Sequence, residues 1–372
     1  MKILICGNGN LTKIGDELFF HSSVGYFLKK CVSYGMTVGY ANVVLDMNAE
    51  DVKNLADFKV PESIQLEAFE SFSRLSWWKK ILGGPSIILR IFSLMLRYDF
   101  FYCFYPGSLA GIMIKALRLF HRKYALYVRG ELKNSRAIRK DIAGASFIFA
   151  TGCSIVEAVC PDYTKCYEVA PMSDVFCREP VSEPRSCFHS VLRGLFVGRV
   201  SREKGIYELL DAMKVLQDKA VPVTMNLVGA YNNDVVERIK ELGLENTFLC
   251  GLAQSADELQ HYYKDADFFC LPTWTEGFPR VLYEAMSYSL PCLSTMVGGI
   301  PSRMRNGENC ISLEVKNPDS IVDAVLELKN SPDKMKRLAE ASLQTFAYWQ
   351  KFFEGQNHAG QLCAEIKKNI YK

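Results

Sequence analysis

Short apolar runs alternating with amphipathic stretches organise this chain. Residues 2–6 form a run of the buried-strand type. Gly7-Asn8-Gly9-Asn10 and Gly15 follow as a glycine-rich loop, and 16–34 reads as a helix closed by Gly35. Residues 36–43 are strand-like again, and strand–loop–helix–strand is the opening of a parallel sheet. The alternation continues with strands at 101–105, 124–128 and 147–150, a helix at 109–120 and a basic helical stretch before the last strand. After a proline-containing stretch a second series begins. Its strands are expected at 194–197, 223–228, 248–250, 268–271 and 291–294. Its helices are expected at 205–218, 233–242, 255–265, 280–287, 319–329 and 332–347. The pattern predicts an α/β protein with two doubly wound domains whose carboxyl-end loops face across one cleft. The expected boundaries are 1–175 for the first domain, 176–191 for a linker and 192–345 for the second domain. A helix in 346–372 is expected to return to the first.

The length, 372 residues, suits two such domains, and 49% hydrophobic with 23% charged residues is the composition of a globular chain. A net charge of +3 is too small for a dedicated nucleic-acid binder. The 13 cysteines show no C-x-x-C pair, so zinc is not indicated, and their odd number fits reduced thiols in a cytoplasmic protein. The most apolar stretch, 81–96, is interrupted by Gly83, Gly84, Pro85 and Arg90, which argues against a membrane span. From 71 to 98 there are five basic residues and no acid, with Trp77 and Trp78 among them. That combination suits either a solvated helix face or the anionic inner leaflet of a membrane.

The chemistry concentrates at Thr275-Glu276-Gly277-Phe278-Pro279-Arg280-Val281-Leu282-Tyr283-Glu284. Glu276 falls on a loop and Glu284 about one turn inside the helix that follows. Gly277 permits close backbone approach, Pro279 suits a helix start, and the N–H groups near Arg280 to Leu282 can cradle phosphate. One carboxylate can then accept from sugar hydroxyls and the other from ribose. Arg199 and Lys204, five apart on a strand-to-helix loop, are two cations able to neutralise a leaving diphosphate. Asp265-Ala266-Asp267 matches a D-x-D metal pattern, yet its place at a helix end before a strand reads as capping, so no metal site is assigned. His21, His121, His189, His261 and His358 show no convincing partners in the sequence.

The Glu276–Glu284 segment resembles the E-x7-E motif of the retaining GT-B glycosyltransferases of family 4, the glycosyl transferases group 1. Val197-Gly198-Arg199 with Lys204-Gly205, Leu227-Val228-Gly229, the stretch around Gly251 and Leu252, Val297-Gly298-Gly299-Ile300-Pro301 and Asn306-Gly307 are similar to further turns of that family. The resemblance covers about residues 192–345 and is weaker before them. It implies two Rossmann-like domains and a metal-independent hexosyltransferase that uses no cofactor. The donor would be a UDP- or GDP-linked sugar, and the acceptor a lipid-linked glycan of surface polysaccharide synthesis. Arg199, Lys204 and Glu276 would be catalytic. Gly277, Phe278, Pro279, Arg280, Val281, Glu284, Gly229 and Leu252 would hold the donor. In the first half Gly9, Gly15, Arg129 and Glu131 are candidates for the acceptor side. A nicotinamide dehydrogenase is the first alternative, but Thr12 stands where G-x-G-x-x-G needs its third glycine. A non-catalytic glycan-binding protein of the same fold is the second.

Overall fold

The computed structural model describes residues 1–14, 17–20, 22–46, 58–59, 61, 63–70, 77–172 and 179–370. The chain divides into two compact units, Met1–Ser173 with Gly355–Lys372, and Asp174–Glu354.

The first unit is built from β1 (Lys2–Ile14), β2 (Glu17–Phe20), α1 (Ser22–Ser33), β3 (Thr37–Asp46), β4 (Phe58–Lys59), β5 (Gln65–Glu70), α2 (Trp77–Arg97), β6 (Phe100–Tyr105), α3 (Ser108–Leu119), β7 (Tyr124–Val128), α4 (Arg136–Ala143), β8 (Ile148–Ala150), α5 (Ser154–Glu157) and β9 (Cys166–Glu168). Strands β5, β3, β1, β6, β7, β8 and β9 pair in parallel in that order. Every residue of β6 and β7 is buried, as expected for parallel strands covered on both faces.

Two sequence readings fail here. The glycine-rich stretch 7–10 is not a loop: β1 runs through it, pairing with β3 as Lys2–Cys6 and again from Asn10, with a register shift between. The glycines sit where a bulge removes regular pairing, which a strand tolerates without ending. The helix expected from Asp16 begins only at Ser22, because Glu17–Phe20 folds back antiparallel on the end of β1. Helix α2 also runs unbroken through Gly83, Gly84 and Pro85. Among the described residues no helix is long and apolar enough to cross a membrane.

The second unit has β10 (Leu192–Val197), α6 (Ile206–Asp218), β11 (Val223–Val228), α7 (Asn233–Leu242), β12 (Thr247–Gly251), α8 (Ala256–Asp265), β13 (Phe268–Leu271), α9 (Arg280–Ser287), β14 (Cys292–Thr295), β15 (Ile311–Leu313), α10 (Pro318–Asn330) and α11 (Pro332–Phe352). Its sheet is wholly parallel, in the order β12-β11-β10-β13-β14-β15. Side-chain caps set several helix starts: Asn232 accepts from the Val235 N–H and Ser255 from the Glu258 N–H at 3.1 Å. Asp267, fully buried, accepts from the Arg193 N–H at 2.8 Å and from the His189 N–H at 3.2 Å, while Asp265 pairs with the Arg193 guanidinium. This aspartate pair ties the chain entering β10 to the start of β13.

Helix α12 (His358–Ile370) belongs to the first unit, where Ala359, Leu362, Cys363 and Ile366 join one face of the core. His189 and His358, read from the sequence as lacking partners, both have them. The His189 ring lies 3.0 Å from an Asp267 oxygen, and His358 Nε2 shares a hydrogen bond of 2.7 Å with the Tyr102 hydroxyl. The Cys153 and Cys166 thiols also meet, Sγ to Sγ 3.1 Å.

His358 is enclosed by Phe27, Tyr102, Tyr127 and Phe149. Burial, reinforced by the nearby Arg129 charge, lowers its pKa from 6.5 to about 3. The native imidazole therefore stays neutral while the unfolded one takes a proton below pH 6.5, so the native state loses stability as pH falls from 6.5 toward 3. At pH 5 the loss is about 2 kcal/mol, from 1.36 kcal/mol per pKa unit. Thermal unfolding of His358→Gln, compared with the parent chain from pH 7.5 to 5, is expected to show a smaller drop in Tm on acidification. Parallel curves would show that this histidine does not titrate as described.

Candidate functional site

Three loops meet at the carboxyl ends of β10, β13 and β14, and backbone contacts force them together. The loop after β10 makes a 3-10 turn at Arg202–Lys204 and passes through Gly205 at φ +72°. A Cβ at Gly205 would collide with the Pro272 carbonyl. The Trp274 N–H donates to the Glu203 carbonyl at 2.9 Å, and the Thr273 hydroxyl reaches the same oxygen. The loop after β14 passes through Gly298 at φ +57°, where a Cβ would strike the Glu276 carbonyl, and the Gly299 N–H donates to the Gly277 carbonyl at 2.9 Å. Only glycine fits these positions, which combine close approach with a left-handed backbone.

The result is that Lys204 Nζ forms an ion pair and hydrogen bond with Glu276, both side chains about four-fifths shielded. Arg199, five residues earlier on the same loop, is 71% exposed and 3.8 Å from Glu203. Beside this loop Gly229 follows β11; a Cβ there would meet the Gly198 carbonyl, and its N–H donates to Gly251 at 2.7 Å. Leu252 comes next along that edge, with its side chain part exposed.

Pro279 caps α9 in extended conformation and Arg280 is the first helical residue. Of the three N–H groups assigned to phosphate, that of Leu282 turns back to the Pro279 carbonyl at 3.1 Å. The N–H groups of Arg280 and Val281 belong to the first turn and have no partner inside the helix. Gly277, Phe278 and Pro279 are buried.

Glu284 is only 1% exposed. Its Oε2 accepts from the Tyr263 hydroxyl at 2.9 Å, and Arg280 Nε lies 3.1 Å from Oε1. The structure thus brings Lys204 and Glu276 together at the loop surface and sets Glu284 deeper.

Two residues the sequence reading missed support this arrangement. Tyr263, on α8, orients the Glu284 carboxylate. Arg303 lies over the rings of Phe278, Tyr283 and Trp349, at 4.6, 5.7 and 4.5 Å from their centroids, and steadies Phe278. No spacing rule points to either, because their partners lie on other elements.

In the first unit Gly9 lies within β1 and Gly15 falls outside the described residues. Arg129 follows β7, exposed, with its guanidinium 5.6 Å from the Phe104 ring and 5.9 Å from that of Tyr127. Glu131 is exposed two residues on. No group of three or more His, Cys, Asp or Glu side chains suited to a metal ion occurs among the described residues.

The whole chain superimposes on solved structures. With Anabaena HepE in complex with UDP it shares a TM-score of 0.62 and 15% identity over 100% of both chains. With a sucrose-phosphate synthase of Thermosynechococcus elongatus the TM-score is 0.66 at 15% identity, over 100% of this chain and 99% of the other. At such identities the likeness establishes the fold, two Rossmann-like units of the GT-B architecture. Among curated sequences, an uncharacterised glycosyltransferase of Methanocaldococcus jannaschii is 30% identical over 151 residues, 40% of this chain and 41% of its own length. A capsular polysaccharide biosynthesis glycosyltransferase of Staphylococcus aureus, CapM, is 27% identical over 38% of this chain and 39% of its own. The chain thus spans about two fifths of the length of these curated relatives. Residues 193–345, which hold the three converging loops, match the family model described as glycosyl transferases group 1.

Proposed function

We propose that the protein is a retaining, metal-independent hexosyltransferase that takes a hexose from a UDP- or GDP-linked donor. The acceptor is a lipid-linked glycan in surface polysaccharide synthesis. The observation that carries this reading is the Lys204–Glu276 pair, assembled from two separate loops at the carboxyl end of a parallel sheet, with Arg199 on the same loop. The neighbours support it: HepE was solved with UDP, with UDP-glucose and with UDP and glucose, and CapM is named for capsular polysaccharide synthesis.

In this reading Lys204, Arg199 and the first N–H groups of α9 take the donor diphosphate and stabilise it as it leaves. Glu276 accepts from the sugar hydroxyls and Glu284 from the ribose. Neither acts as a covalent nucleophile, which would require a second carboxylate across the sugar. Asp265 and Asp267 are engaged by Arg193 and His189, so the D-x-D pattern has a structural task of its own. The first unit is assigned to the acceptor.

The cytoplasmic face of a membrane is the proposed place of work. On α2 Ile88, Leu89, Phe92 and Leu96 are exposed, Leu89 at 70% and Leu96 at 73%. Phe92 meets Phe120, at the end of α3, at 5.6 Å, and Leu119 beside it is exposed. Between residues 77 and 123 the chain carries eight Lys or Arg and a single acid, Asp99; Arg90 and Arg97 pair with Glu67 and Arg118 with Asp141, so the cationic character rests on the other five. An apolar ridge with cationic flanks suits an anionic bilayer surface. Trp77 and Trp78 lie in the backbone of α2, while their side chains fall outside the described residues.

Four outcomes are expected. A panel of UDP- and GDP-hexoses, read by release of the nucleoside diphosphate, is expected to give one or more turned-over donors. Arg199→Ala or Lys204→Ala should cut that turnover by at least about 10²-fold, the scale of one lost charge stabiliser; near-normal turnover in the folded double variant would remove both from the site. Activity is expected to survive EDTA, and loss that only Mg or Mn reverses would make a metal ion essential. Co-sedimentation with liposomes should rise with anionic lipid and fall with salt, and indifference to both would favour a soluble acceptor.

A further inference from the structure

Glu284 is closed to solvent as it stands. The carboxylate is 1% exposed, its Oε2 is held by Tyr263, and the Arg280 guanidinium lies against Oε1. Tyr263 is itself fully buried, so that side of the carboxylate is fixed. Arg280 differs: its side chain is 54% exposed, one turn before Glu284, and it reaches the buried acid from the surface. Held from solvent, it is a cover on this carboxylate that can swing aside without disturbing the core.

Arg280 is also the first residue of α9. A diphosphate drawn to the N–H groups of that turn would lie within reach of the same guanidinium. The diphosphate competes well with Glu284, because it carries at least two negative charges against one and its oxygens can take the guanidinium fork bidentately. A buried carboxylate must not be left uncompensated, and ribose hydroxyls can donate to Oε1 as the guanidinium departs. Cation and hydroxyls would thus exchange places on Glu284.

We propose that Arg280 is a specificity-determining residue that covers Glu284 until a diphosphate draws it away, so that the site accepts a nucleoside only as its diphosphate. This rests on the donor-site reading above. The coupling follows from differential binding: a ligand shifts the Arg280 position only as far as it favours one placement over the other. A nucleoside has nothing to offer the guanidinium and must compete with it for Oε1. A nucleoside diphosphate, and with it the nucleotide sugar, removes its own competitor.

Calorimetric titration of the full chain with UDP, GDP, uridine and guanosine tests this, using the parent protein, Arg280→Met and Arg280→Lys. Methionine keeps most of the aliphatic stem and removes the charge. For whichever base binds, Arg280→Met is expected to bind the nucleoside about 5-fold more tightly, the scale of a half-exposed ion pair that no longer competes. The diphosphate should bind about 10-fold more weakly for want of a charge-assisted contact. Arg280→Lys should fall between, and if Arg280→Met does not fold it carries the test through the same narrowed ratio. Weaker diphosphate binding with nucleoside binding unchanged would make Arg280 a plain phosphate ligand and overturn the proposal. Equal weakening of both ligands with a lowered Tm would make it a structural residue, with the same consequence. Failure of the parent protein to bind either diphosphate would instead overturn the donor-site reading, and this inference with it.

Discussion

Close backbone contact at glycine is the constraint on which the second unit depends. Gly205 lies against Pro272, Gly229 against Gly198 and Gly298 against Glu276, in each case so near that a single added carbon would collide. Each also has a positive φ, at +72°, +149° and +57°. These contacts draw the loops after β10, β11, β13 and β14 into one layer. Lys204 and Glu276, 72 residues apart, become partners because the loops carrying them cannot separate. The polar pair is the consequence of the packing; on a surface loop alone, such a pair would contribute little.

Behind this layer the unit orders its charges by depth. Arg199 is at the surface, the Lys204–Glu276 pair is mostly shielded, and Glu284 is enclosed with Tyr263. At the other end of β13, buried Asp267 is held by backbone donors and by His189. Each buried acid has a donor or cation at hand, as its desolvation requires. The surface cations are the groups with freedom to move toward an incoming anion. Arg303, stacked on three rings, anchors Phe278 and so the loop that bears Glu276 and Gly277.

The second unit was largely legible because its alternation of short buried strands and capped helices is local information. Helix α9 begins and ends as read, since Pro279 sets its entry and the two glutamates bracket the turn. The first unit was less so. Glycines at 7 and 9 read as a loop, yet pairing with β3 carried the strand past them, and Gly83-Gly84-Pro85 did not stop α2. At the glycines of β1, pairing with β3 overrode a local breaker signal. The partners of Glu284, Asp267 and His358 were illegible for another reason. Tyr263, His189 and Tyr102 are recruited from elsewhere in the chain, and nothing in sequence spacing records which side chains a sheet will bring together.

The central claim is that the converging loops of the second unit bind a nucleoside diphosphate and its sugar. Hydrogen exchange of the full chain, measured with and without a saturating nucleotide sugar from the donor screen, addresses it most directly. The account predicts slowed exchange confined in the second unit to peptides covering 199–205, 229–231, 251–253, 276–284 and 297–300. Protection absent from those peptides at saturation, or appearing instead on α6, α7 and α10, would contradict it.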